Sequence, residues 1–139
     1  MIILAVDYGD ARTGIAVCDK FEMLASPVCV INQRNAEKVL EEIKKIASDY
    51  KAEQIVVGLP KNMDSSVGER AIKCEEFARK INELTGIETV MRDERLTTVS
   101  AHNVLNATNT RGKKRKAVVD QVAAVFILQD YIDFRRLNK

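Results

Sequence analysis

Four stretches of this sequence carry residues able to act on a phosphate group. Asp7 ends the apolar run Ile2-Ile3-Leu4-Ala5-Val6, and Gly9 follows it closely. An acid in that place sits where a buried strand emerges, unless it is an ordinary turn aspartate. Asp93-Glu94 lies between Arg92 and Arg95. Either the two acids are paired with the arginines, or one of them enters a cleft shared with Asp7. Strand neighbours point to opposite faces, so only one of the two does so, and the sequence leaves open which. Asp120 stands among Val118, Val119, Val122, Ala123, Ala124, Phe126, Ile127 and Leu128. An acid in the first turn of a helix is favoured by the helix dipole. A segment apolar nearly all round is buried, however, and a buried carboxylate needs a partner such as a metal ion. Carboxylates converging from separate segments suit Mg²⁺ or Mn²⁺, which prefer oxygen ligands. Two such ions can activate water and stabilise the leaving oxygen in phosphodiester hydrolysis. Just before Asp120, the run Arg111-Gly112-Lys113-Lys114-Arg115-Lys116 places five positive charges in six residues. It reads as a solvated basic loop, spanning about 108–117, able to hold backbone phosphates.

Hydrophobic periodicity predicts the elements that must position these groups. Residues 2–6 are continuously apolar, as in a central strand covered on both faces. Thr13–Cys18 and Leu24–Ile31 follow after short connections, which favours an antiparallel meander. Asn35–Tyr50 has helical period, with Ala36, Val39, Leu40, Ile43, Ile46, Ala47 and Tyr50 on one face. Gln54–Gly58 is a short buried strand reached by a crossover. Ser66-Val67-Gly68-Glu69 fits a capping box for a helix that Gly86 ends in a left-handed conformation. Glu88–Met91 is a fifth strand. Thr97 or Thr98 caps a helix to about Ala107, and the last helix runs from about Ala117 to Phe134. The order βββαβαβαα is that of an α/β domain with a mixed sheet. In such sheets ligand sites gather at the ends of central strands.

Composition bounds the remaining possibilities. The chain has 139 residues, 46% hydrophobic and 30% charged, with net charge +2. This predicts a single globular domain over 1–139. No apolar run approaches the roughly 20 residues of a membrane helix, and the N-terminal stretch lacks the basic start of a signal peptide. Cys18, Cys29 and Cys74 are widely spaced and read as reduced thiols, which points to the cytoplasm. His102 is the only histidine, which excludes a zinc site of the usual kind. Gly9-x4-Gly14 is followed by Ile15-Ala16 instead of Lys-Ser/Thr, which excludes a P-loop. An actin-like or sugar-kinase-like ATPase would need two such domains around its nucleotide.

Four motifs in order then resemble the YqgF (RuvX) family: Asp7-Tyr8-Gly9-Asp10-Ala11-Arg12-Thr13-Gly14-Ile15-Ala16-Val17; Val57-Gly58-Leu59-Pro60-Lys61-Asn62-Met63-Asp64; Asp93-Glu94-Arg95-Leu96-Thr97-Thr98; and Val119-Asp120-Gln121-Val122-Ala123-Ala124. They span nearly the whole chain. The resemblance implies an RNase H-like fold with sheet order 3-2-1-4-5. It implies that Asp7, Glu94 and Asp120 are the catalytic, metal-holding carboxylates. Arg12, Lys61, Asn62, Arg95 and Thr97 would line the site or hold phosphate, together with the basic run Arg111, Lys113, Lys114, Arg115 and Lys116. Two departures stand out. Ser65 replaces the usual glycine after Met-Asp, and the fourth strand ends Val56-Val57-Gly58 without an acid, so the middle carboxylate comes from Asp93 or Glu94.

The expected function is a metal-dependent endonuclease, using Mg²⁺ or Mn²⁺, that processes the 5′ end of pre-16S rRNA. The alternatives are a Holliday junction resolvase acting on branched DNA and a non-catalytic RNA-binding module. The expected partner is structured RNA or branched DNA, the expected state a monomer or weak homodimer, with no membrane involved. Aromatic residues are 5% with no Trp, which favours recognition of backbone and shape over base stacking.

Overall fold

The structure, a computed structural model, describes residues 1–59, 68–93 and 112–137, with backbone alone at 59, 93 and 112–121. Five strands, β1 (Ile3–Asp7), β2 (Arg12–Cys18), β3 (Ala25–Asn32), β4 (Gln54–Leu59) and β5 (Glu88–Asp93), form one sheet in the order β3-β2-β1-β4-β5. β1 is antiparallel to β2, and β2 to β3, while β1, β4 and β5 run parallel. Three helices are described: α1 (Ala36–Tyr50), α2 (Glu69–Thr85) and α3 (Gly112–Leu137). The order expected from the resemblance is the order observed.

Strand β1 shows why its sequence is apolar at every position. Alternate side chains serve different layers. Leu4 and Val6 join Ile15, Ile55 and Val57 against α1 and α2, through Val39, Ile43, Phe77 and Ile81. Ile3 and Ala5 join Ala16 and Val56 against α3, through Ala124, Ile127, Leu128 and Ile132. Both faces of the central strand are therefore dry, and the first polar residue, Asp7, marks where it leaves the core.

The helix ends follow local chemistry, with two corrections to the sequence-based reading. The Asn35 side chain accepts hydrogen bonds from the Glu37 and Lys38 amides and starts α1 as expected. Lys51, left-handed at φ 56°, ends α1 without a glycine. Gly86, at φ 70°, ends α2 as anticipated. The proposed Ser66–Glu69 capping box is not the start of α2. Glu69 is already the first helical residue, and Gly68, extended and offering no side chain, is the N-cap. Its carbonyl accepts the first helical bond, from the Ile72 amide at 3.2 Å. The second correction concerns the basic run, because helix α3 begins at Gly112 and not near Ala117. Lysine and arginine are good helix formers, and like charges three or four apart on a helix cost only a few tenths of a kcal/mol. The segment therefore extends the helix that follows it. Ser66 and the helix expected from Thr97 or Thr98 to Ala107 lie outside the described residues.

At the amino ends of the strands, Glu22 joins three parts of the chain. It is left-handed at φ 56° and buried. Its carboxylate accepts from Arg135 Nε of α3 at 2.6 Å and pairs with the Met1 amino group at 3.3 Å. The Arg135 hydrogen bond and, less strongly, the Met1 amino group hold its pKa below the usual carboxylate value, against the effect of burial.

Candidate functional site

The carboxyl ends of β1, β4 and β5 lie side by side, because these three strands are parallel. Asp7 ends β1 opposite Gly14 of β2. Its place in the alternation after Ile3 and Ala5 puts it on the α3 face of the sheet, half-buried at the rim. Arg12, the first residue of β2, shares that face with Gly14 and Ala16 and lies just past Gly14 at the same rim. Asp93 ends β5 opposite Leu59. β5 stands two strand spacings from β1, about 10 Å. On β5, Arg92 turns toward α3, where its Nε donates to the Asp130 carboxylate at 2.7 Å and its guanidinium lies over the Phe134 ring. β4 contributes no acid at its end, as the sequence indicated.

Helix α3 runs opposite to β1. Its second half packs against the amino ends of the strands: Gln129 Oε1 accepts from the Ala25 amide at 2.9 Å, and the Tyr131 hydroxyl donates to Gln54 at 2.8 Å. Its first half therefore points toward the carboxyl ends. Position 120 precedes Tyr131 by eleven residues, about 16 Å along the axis, while β1 rises about 13 Å from Ile3 to Asp7. The α3 backbone at Asp120 thus reaches the level of the strand ends. Asp120 lies eight residues inside α3 and not in its first turn, so the helix-dipole explanation for an acid at this position falls away. Lys113, Lys114, Arg115 and Lys116 are helical and lie about 6–10 Å farther along the axis, past the edge of the sheet.

Glu94, Lys61, Asn62, Arg95, Thr97 and Arg111 lie outside the described residues. Among the described residues no three His, Cys, Asp or Glu side chains gather as a metal-holding group. Asp7 supplies oxygen donors at a half-buried strand end. That donor chemistry fits Mg²⁺ or Mn²⁺, and fits zinc or copper poorly.

Sequence reasoning passed over the contacts that hold the turn after Asp7. Arg70, in the first turn of α2, donates through Nη2 to the Tyr8 carbonyl oxygen at 2.6 Å. Its Nη1 lies 3.0 Å from Asp10 Oδ1. The Tyr8 ring stacks on Phe77, with centroids 3.8 Å apart and planes 8° from parallel. Burial, with the nearby Asp10 charge, raises the Tyr8 pKa and keeps its phenol neutral. Between Tyr8 and Asp10, a Cβ on Gly9 would fall 2.2 Å from the Arg12 carbonyl oxygen. The sequence signal for Arg70 was only its place at the start of an amphipathic helix. Its partner lies 62 residues away, which no local pattern reports.

Comparison with known proteins decides the family. The model described as "RuvX: Holliday junction resolvase" matches residues 1–134. The chain belongs to the RuvX family. A Lachnospira eligens relative named "Putative pre-16S rRNA nuclease" is 42% identical, covering 98% of this chain and 99% of its own. Relatives with the same name from Halothermothrix orenii and Clostridium botulinum are 43% and 41% identical, the first over 97% and 96% of the two chains and the second over all of both. Among solved structures, Thermus thermophilus RuvC in complex with a Holliday junction substrate aligns at TM-score 0.65 and 10% identity, over 100% of this chain and 97% of that one. The fowlpox virus Holliday junction resolvase aligns at 0.59 and 12%, over 97% and 99%. At such identities these two structures establish the RNase H-like fold of this RuvX chain and nothing finer.

Proposed function

We propose that this RuvX protein is a nuclease that hydrolyses phosphodiester bonds at the 5′ end of pre-16S rRNA. The observation that carries this reading is near-full-length identity of about 40% to relatives bearing that name. Asp7 at a rim shared by three parallel strand ends supplies the chemistry. Asp7, Glu94 and Asp120 would hold Mg²⁺ or Mn²⁺. When bound, the divalent ion polarises the phosphate and lowers the pKa of water. The chain's own part is to orient the phosphate and neutralise its charge. Arg12 on the Asp7 face, with Lys61, Asn62, Arg95 and Thr97, would hold the scissile phosphate. Arg111, Lys113, Lys114, Arg115 and Lys116 would hold flanking phosphates, a role that predicts steep salt dependence. Among the described residues no helix is long and apolar enough to cross a membrane, and an rRNA substrate puts the protein in the cytoplasm.

The second reading is cleavage of a Holliday junction, favoured by the family description and by the RuvC-like fold. It requires two sites facing two strands and hence a symmetric dimer. The deciding experiment sets a labelled pre-16S 5′-leader RNA beside a four-way DNA junction, each with Mg²⁺, Mn²⁺ or EDTA. Metal-dependent cutting of the RNA is expected. Asp7→Asn is expected to lower it on the order of a hundredfold or more while leaving the circular dichroism spectrum intact. Cutting of the junction alone transfers the protein to recombination. Salt-sensitive RNA binding without any cutting makes it a binding module.

A further inference from the structure

Arg70, in the first turn of helix α2, meets the turn that follows Asp7. Its two guanidinium nitrogens engage two points of that turn, the Tyr8 carbonyl oxygen at 2.6 Å and the Asp10 carboxylate at 3.0 Å. The same nitrogen that reaches Tyr8 passes 3.7 Å from the place where a Gly9 side chain would begin. One and two turns farther along α2, Cys74 and Phe77 continue the stripe, and Phe77 clamps the Tyr8 ring. A planar fork held at two points resists rotation, which a single point charge does not. The carbonyl bond is the firmer half. Asp10 is largely exposed, and an exposed ion pair adds little.

We propose that Arg70 is a positioning residue, one that fixes the β1–β2 turn and through it the Asp7 carboxylate. The proposal rests on the reading of Asp7 as a metal-holding group. A misplacement of about 1 Å at such a group can lower turnover by two orders of magnitude. Arg70 would then act on turnover and on metal affinity, not on substrate binding.

The test compares the full chain with Arg70→Gln, Arg70→Lys and Asp10→Asn. On the leader RNA at saturating Mg²⁺, Arg70→Gln is expected to lower kcat about tenfold or more, with KM within about threefold and cooperative unfolding retained. Arg70→Lys, which can reach one of the two points, recovers part of the loss, and Asp10→Asn stays within about twofold. A raised KM with unchanged kcat would make Arg70 a phosphate ligand and overturn the proposal. A loss no larger than the unfolded fraction also overturns it. The same readings on Arg70→Lys decide the matter if the Gln variant does not fold. If the wild-type chain cuts no RNA, the nuclease reading fails separately, and Mn²⁺ titration followed by water proton relaxation decides for Arg70. An Asp7-dependent Mn²⁺ site weakened about tenfold in Arg70→Gln sustains the proposal. An Asp7-dependent site unchanged in that variant overturns it, as does the absence of any Asp7-dependent site.

Discussion

The turn from Asp7 to Arg12 allows almost no freedom at Gly9. A Cβ there would meet a backbone oxygen at 2.2 Å, which no side-chain rotation can relieve. The chain must shift, and Asp7 is only two residues away. Gly9→Ala is therefore expected to cost about 2 kcal/mol, seen as a melting temperature lower by about 6 °C. It should also reduce cleavage beyond what that loss of stability explains. An alanine variant with wild-type melting temperature and activity would show that the turn relaxes without moving Asp7.

Helices α1 and α3 show how local rules set element boundaries, and with them the reach of the site. Asn35 caps α1 through two amide hydrogen bonds, at 2.9 and 3.2 Å. Asn35→Ala is expected to lower stability by about 1 kcal/mol in thermal or urea unfolding and to leave cleavage unchanged, because α1 packs on the face of the sheet opposite the one that carries Asp7. Helix α3 extends five residues farther toward its N-terminus than its apolar pattern indicated. Lys113, Lys114, Arg115 and Lys116 thus continue the helix that carries Asp120, and their spacing to the sheet rim is set by helix rise instead of loop conformation.

At the scale of the whole molecule, the two ends of the sheet divide the work. The carboxyl ends carry the candidate site. The amino ends are held by Glu22, which pairs with Arg135 of α3 and with Met1 beside β1. Its folded pKa is depressed, chiefly by the Arg135 hydrogen bond, so its contribution is present above the unfolded carboxylate pKa of about 4.3. That contribution is lost as pH falls through the lower folded value. Glu22→Gln is expected to cost about 2 kcal/mol at pH 7. The gap between the wild-type and variant melting temperatures should close as pH falls below about 4. A gap that stays constant down to pH 3 would assign the loss to packing and not to charge.

Periodicity and turn chemistry in the sequence determined the five strands, the α1 and α2 faces, the Asn35 and Gly86 ends and the exit of Asp7 from the core. These depend on neighbours within a few residues and on alternation along one strand, which the order of residues displays directly. The four ordered motifs determined the sheet order through the family resemblance. The Gly68 start of α2 went unread because a glycine cap carries no side-chain signal. The helical state of Gly112–Lys116 went unread because charge density resembles a loop when no apolar stripe accompanies it. Only the tertiary structure decided that Arg70 would meet Tyr8 and Asp10, that Phe77 would stack on Tyr8 and that Arg135 would close on Glu22. Each of these pairs joins residues 60 or more positions apart, brought together by burial of the two faces of β1 rather than by any preference of the residues for each other.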